Sequence, residues 1–194
     1  MSLKERVYSV LVVSTAEKLN TALASMLPES RYSPVHFVSN ISAAKRLWGE
    51  RGFDFVIINS PLPDDDGARF AIDTAGAPGT VVLLMVRAEL YNGVYEKVAE
   101  HGVFTLSKPL NRPVLVSALD WMSSARERLR KLEKKTLSVE EKMKEIRLVN
   151  RAKWLLIAEL KMDEPQAHRY IEKQAMDRCI SRREIAEEII KTYT

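Results

Sequence analysis

The sequence predicts a parallel α/β domain followed by an all-α region, on three observations. Through about residue 120, short β-branched or aromatic runs alternate with stretches of helical periodicity. The central runs are continuously apolar, as strands covered on both faces require. Beyond Pro113 strand-type runs cease, and only helical periods follow.

Val7–Val13, Val35–Val38, Phe53–Ile58, Val81–Val86 and Val103–Leu106 read as five strands. Ala16–Leu27, Ile41–Arg51, Gly67–Ala75 and Leu90–His101 read as the helices between them. Such alternation implies a parallel sheet with helices on both faces. Pro34, at the start of the second run, lacks an N–H for a ladder and so marks an edge strand. That suits the flavodoxin-like order 2-1-3-4-5, in which the second strand is an edge.

The helical stretch after Pro113 carries a heptad pattern. Met122, Leu129, Thr136, Met143 and Asn150 fall seven apart, as do Ala125, Leu132, Val139 and Ile146. Charged residues fill most other positions, so a homodimeric coiled coil is expected through Met122, Leu129, Leu132, Val139, Met143 and Ile146. The alternative is one amphipathic helix packed on its own domain. Asp163-Glu164-Pro165-Gln166 and Ser181-Arg182-Arg183-Glu184 then mark two helix starts, predicting helices over 164–179 and 182–192. Their buried stripes, with the end of the long helix, comprise Ala152, Leu155, Leu156, Leu160, Ala167, Tyr170, Ile171, Ala175, Ile185, Ala186 and Ile189. The expected divisions are an α/β domain over 1–121, a coiled-coil helix over 122–146 and a three-helix domain over 147–194.

Net charge is +4, split unevenly: residues 1–121 carry 12 Lys+Arg against 13 Asp+Glu, and residues 122–194 carry 18 against 13. A polyanionic partner is therefore expected at the C-terminal region. The single cysteine, Cys179, excludes an internal disulfide and reads as a helix-end residue. Val81–Val86 is the longest apolar run, too short for a membrane span. Met1-Ser2-Leu3-Lys4-Glu5-Arg6 runs into the first strand without a signal-peptide pattern, and a cytoplasmic location is expected. No metal or cofactor is expected. The Asp64-Asp65-Asp66-Gly67 run fails calcium-loop spacing, because Leu62 takes the first ligand position, and reads as a solvated loop.

Asp54-Phe55-Val56-Ile57-Ile58-Asn59, followed by Ser60-Pro61-Leu62-Pro63-Asp64-Asp65-Asp66-Gly67, resembles the third strand and following loop of a response-regulator receiver domain (CheY-like). The resemblance implies an acidic metal-binding pair after the first strand, a phosphoacceptor aspartate ending the third, a hydroxyl residue ending the fourth and a lysine ending the fifth. Here Val12-Val13-Ser14-Thr15 replaces the acidic pair, Asn59 the acceptor, and Met85 or Val86 the hydroxyl residue. Thr105 occupies the usual aromatic switch position. Only Lys108-Pro109 is intact; its lysine is expected to bond the Asn59 amide, and its peptide is a candidate cis bond. An amide forms no acyl phosphate, and phosphoryl transfer needs charge neutralisation that this site lacks. Ser14, Thr15, Asn59, Met85 and Lys108 thus form a degenerate pocket, with a sensor protein as a possible partner in place of phosphate.

Arg147-Leu148-Val149-Asn150-Arg151-Ala152-Lys153-Trp154, with Glu164-Pro165-Gln166-Ala167, Gln174-Ala175-Met176-Asp177 and Ser181-Arg182-Arg183-Glu184, resembles the ANTAR domain of antitermination regulators. The resemblance implies binding to tandem hairpins in nascent mRNA leaders, which keeps an overlapping terminator from forming. Arg151, Lys153, Arg169, Lys173, Arg178, Arg182 and Arg183 are the candidate RNA contacts. His168 and Tyr170 are candidate stacking residues, although the helical spacing of Tyr170 places it in the core. Departures are Trp154 where the family usually has glycine, Ile146 where arginine is common, and Cys179 where a basic residue is frequent. The indole of Trp154 either fills the glycine's space or forms a stacking surface.

The leading expectation is a dimeric RNA-binding antiterminator. A DNA-binding transcription factor is the alternative, with Ser181–Lys191 as its recognition helix; the Ile185, Ala186, Ile189 stripe and the outward Glu187 and Glu188 argue against it. An enzyme is not expected, because no nucleophile motif, Gly-rich phosphate loop or His/Cys/Asp cluster appears.

Overall fold

The computed structural model describes residues 6–193. The expectation placed on the first five residues lies outside the described residues. The chain divides into two compact units between Glu133 and Lys134.

The first unit runs β1 (Tyr8–Val13), α1 (Glu17–Met26), β2 (Tyr32–Val38), α2 (Ile41–Glu50), β3 (Phe55–Asn59), α3 (Ala68–Ala75), β4 (Val81–Arg87), α4 (Tyr91–Val98) and β5 (Phe104–Lys108). The strands form one parallel sheet in the predicted order β2-β1-β3-β4-β5. Alternate residues of the central strands feed two separate cores. Val10, Val12, Phe55, Ile57, Leu83 and Met85 pack on one face; Leu11, Val13, Val56, Ile58, Leu84 and Val86 pack on the other. The continuous apolar runs are thus explained: neither side of β3 meets water. Pro34 sits on edge strand β2 where the register with β1 shifts between Tyr8 and Val10, so its missing donor disrupts no regular ladder.

Helix α5 (Arg112–Leu160) passes from the first unit into the second. Asn111 caps it, its Oδ1 accepting from the Val114 N–H at 3.0 Å, and Pro113 lies in its first turn. The structure corrects two of the predicted seam positions. Met122 is fully buried in the core of the first unit, and Leu129 packs against that core with Ala125. Packing of the α/β unit therefore continues beyond the expected boundary at 121. From Leu132 onward the stripe changes character: Leu132, Val139, Met143 and Ile146 are all about half exposed. A core-facing helix and a coiled-coil seam share the i, i+3, i+7 spacing, so periodicity alone does not mark where burial in the core ends.

In the second unit the end of α5 meets α6 (Glu164–Arg178) and α7 (Arg182–Tyr193). Ala152, Leu156, Ala167, Ile171, Ala175, Ile185, Ala186 and Ile189 form its core. Four alanines at these contacts let the backbones approach closely. The two predicted starts are capping boxes. Asp163 Oδ1 accepts from Gln166 N at 2.7 Å while Gln166 Oε1 accepts from Asp163 N at 3.0 Å. Ser181 Oγ accepts from Glu184 N at 3.2 Å, and Glu184 Oε2 accepts from Ser181 N at 2.8 Å. Cys179 ends α6 in the left-handed region, as a helix-end residue. Leu160 and Tyr170 are corrections, for both are exposed rather than core. Tyr170 lies one residue outside the Ala167–Ile171–Ala175 stripe, where a wide apolar face gives way to solvent.

Candidate functional site

The carboxyl ends of β1, β3 and β5 bring Ser14, Asn59 and Lys108 into one hydrogen-bonded chain. Asn59 Nδ2 donates to Ser14 Oγ at 3.2 Å, and Asn59 Oδ1 accepts from Lys108 Nζ at 2.9 Å. Lys108 also donates to the Ser60 carbonyl, and Ser14 Oγ accepts from the Ala16 N–H at 3.1 Å. Both polar atoms of the Asn59 amide are thereby satisfied within the protein, as a buried amide requires. Burial, and then the charge of Arg87 beside it in the β4–β5 register, holds the Lys108 ammonium below the ordinary lysine range. The Lys108–Pro109 peptide is cis.

The other two pocket residues stand apart. Thr15 is exposed, and Met85 is fully buried in a core, offering no hydroxyl at the end of β4. Thr105 is half-buried with its Oγ1 lacking a hydrogen-bond partner. The adjacent acidic run serves the backbone. Asp64 accepts from Ile41 N and Ser42 N, each at 2.9 Å, at the start of α2, and these bonds hold its carboxyl below the usual range. Asp65 accepts from Gly67 N at 2.7 Å and Asp66 from Ala68 N at 2.9 Å. Gly67 has φ +80°, and a Cβ there would lie 2.7 Å from Ile58 Cγ2, so only glycine fits that turn.

The seven candidate cations of the second unit fall into two groups. Lys153 bonds Glu164 at 2.6 Å, Arg178 bonds Glu188 at 2.8 Å, Arg183 bonds Glu187 at 2.8 Å, and Arg182 lies 3.4 Å from Glu145 and 3.9 Å from Glu172. The Glu164 and Glu188 carboxyls are held below their usual range first by the hydrogen bonds from Lys153 and Arg178. Arg151, Arg169 and Lys173 are exposed and have no ion pair among the described residues.

Helix geometry collects the unpaired charges into stripes. On α6, Arg169, Lys173 and Met176 follow the i, i+4, i+7 spacing opposite the buried Ala167, Ile171 and Ala175, and Met176 is 77% exposed. On α5, Arg147, Arg151 and Trp154 share one face, and Trp154 is 70% exposed. Of its two predicted roles, the indole therefore has that of a surface group. Arg147 and Met176 were not among the expected contacts. The acid-free stretch Ile146–Ala158 was the legible signal for Arg147, and no comparable signal marked Met176. A separate groove of about 380 Å³ is lined by Lys142, Glu145, Ile146, Val149, Asn150, Lys153, His168 and Arg182. His168, a candidate stacking residue, lies 3.3 Å from Glu172. Helix α7 buries Ile185, Ala186 and Ile189, and its outward Glu187 and Glu188 bind arginines of this unit. That surface is unsuited to reading a major groove.

Residues 138–190 match the ANTAR domain. The "Transcriptional regulatory protein PdtaR" of Mycobacterium tuberculosis is 28% identical over 187 residues, covering 94% of this chain and 89% of that protein. The "Aliphatic amidase regulator" of Pseudomonas aeruginosa is 34% identical over 125 residues, covering 62% of this chain and 61% of the regulator. Among solved structures, a signal receiver domain of an HD domain-containing protein from Pseudomonas fluorescens Pf-5 aligns with TM-score 0.56 and 23% identity. That alignment covers 68% of this chain and 96% of the receiver. A CheY-like receiver domain from Methylobacillus flagellatus aligns with TM-score 0.50 and 19% identity, over 60% of this chain and 98% of that one. At these identities the likeness shows the receiver fold alone.

Proposed function

The chain joins a receiver-fold domain to an ANTAR domain, and from that premise we propose that it is an RNA-binding transcription antitermination regulator. The observation that carries the reading is the ANTAR match together with the unpaired cationic stripes in the same segment. The names of the two relatives, a transcriptional regulatory protein and an aliphatic amidase regulator, support a role in transcription. A small helical bundle presents side chains to splayed loop bases rather than to duplex grooves, which suits hairpin loops in an mRNA leader.

The receiver-fold head acts in this reading without phosphorylation and without catalysis. Support comes from Asn59 at the acceptor position and from its amide being bonded to both Ser14 and Lys108. A sensor protein that binds the head takes the place of phosphate as the switch. The half-exposed stripe Leu132, Val139, Met143 and Ile146 supports pairing of two copies. Pairing presents two modules to two hairpins and makes the second contact intramolecular. The site of action is the cytoplasm, where leaders are transcribed; among the described residues no helix is long and apolar enough to cross a membrane.

The test is transcription in vitro from a template whose leader carries two short-loop hairpins overlapping an intrinsic terminator. Added protein raises read-through, and scrambling either loop abolishes the gain. Read-through that ignores the protein, or ignores the loops, contradicts the proposal.

A further inference from the structure

Trp154 is the most exposed aromatic side chain in the second unit, at 70%. An indole in water contributes little to the stability of its own domain, so its surroundings must say what it does. Arg151 lies one turn before it and Arg147 two turns before it on the same face of α5. At 1.5 Å per residue this row of two guanidinium groups and one indole spans about 10 Å. Neither arginine has an ion pair among the described residues, and residues 146–158 contain no carboxylate. Four other cations of the unit are tied to glutamates: Lys153 to Glu164, Arg178 to Glu188, Arg182 to Glu145 and Arg183 to Glu187. A flat π surface beside uncompensated positive charge matches a nucleotide, whose base stacks while its phosphates meet the guanidinium groups.

A second copy of the chain is the competing occupant, and two observations disfavour it. The exposed stripe of α5 ends at Asn150, because the next positions of that heptad are Lys153 and Ile157. Lys153 is held by Glu164, and Ile157 packs on the core of its own unit. Two copies meeting at Trp154 would also bring Arg147 and Arg151 against their own like charges.

We propose that Trp154 is a stacking platform for an unpaired base of the bound RNA, with Arg147 and Arg151 holding the flanking phosphates. This deepens the RNA-binding reading and rests on it.

The experiment uses the full chain and tandem stem-loops selected on the wild-type protein from a pool with randomised loops. Trp154→Ala should weaken binding about thirtyfold, the middle of the range for loss of one base–aromatic stack, while Trp154→Phe retains most of it. The salt dependence of Trp154→Ala should equal that of wild type, because stacking releases no counterions; Arg151→Ala should lower the slope by about one. RNA should also quench the emission component that wild type has and Trp154→Phe lacks. Affinity of Trp154→Ala within about twofold of wild type, with that component unquenched, overturns the proposal and leaves RNA binding standing. Dissociation of dimers by Trp154→Ala, with RNA affinity per dimer unchanged, overturns it by assigning the indole to a second copy. If no RNA in the pool is retained by the wild type, the RNA-binding reading itself fails, and this inference with it.

Discussion

Met122 and Met143 occupy the same heptad position of α5 on either side of the break between units, and the structure gives them opposite surroundings. Met122 is 0% exposed in the core beneath the sheet, whereas Met143 is 47% exposed. Truncating Met122 to alanine removes fully buried side-chain atoms and leaves a cavity, a change that costs about 2–5 kcal/mol. With a urea m-value of about 1–3 kcal/mol/M, the unfolding midpoint of the head should fall by roughly 1–2 M. Trp48, stacked on Phe53 at 6.2 Å within the same unit, offers a fluorescence signal for that transition. Met143→Ala should leave the midpoint of dilute protein within the error of the measurement, a change of about 0.5 kcal/mol or less. Its effect should appear in sedimentation, as a weaker dimer. The reverse pattern, with dimers lost in Met122→Ala and head stability lost in Met143→Ala, would refute the division of α5 between core and seam.

Further outcomes follow from the two sites. Asn59→Asp should acquire no phosphoryl group from small phosphodonors by intact mass, because Ser14 and Thr15 supply no metal-binding carboxylates; a stable adduct would contradict the degenerate-pocket reading. Arg169→Ala and Lys173→Ala should each reduce the salt slope of RNA binding by about one, whereas Arg178→Ala and Arg183→Ala, already paired with glutamates, should change it less. Asp64 has a folded-state pKa below its ordinary 3.8, so its contribution to stability is present above that value and is lost as pH falls through the lowered one. Asp64→Asn should accordingly flatten the acid limb of the melting-temperature profile; an unchanged limb would show that the cap on α2 carries no weight.

The sheet was legible in the sequence because burial on both faces leaves uninterrupted β-branched runs, and because Pro34 tolerates only an edge. The capping boxes at Asp163 and Ser181 were legible because their chemistry is local. The Asn59–Lys108 bond was legible only through the resemblance to receivers, since 49 residues separate the partners. What composition and spacing left open was partnership. Heptad spacing does not say whether Met122 faces its own core or a second chain, and an apolar stripe does not say whether Tyr170 lies inside its edge or beyond it. Charge counting likewise did not separate Arg151, Arg169 and Lys173, which have no ion pair among the described residues, from Lys153, Arg178, Arg182 and Arg183. That distinction depends on which glutamate the fold brings near.

The decisive measurement is the affinity of the full chain for tandem and single stem-loops as a function of salt. Arg147, Arg151, Arg169 and Lys173, if each neutralises one phosphate, give a log–log slope of about −3 per module. Tandem hairpins should bind more tightly than single ones and show a steeper slope, as two linked modules require. A flat salt response, or equal affinity for tandem RNAs with intact and scrambled loops, would contradict RNA recognition by the second unit.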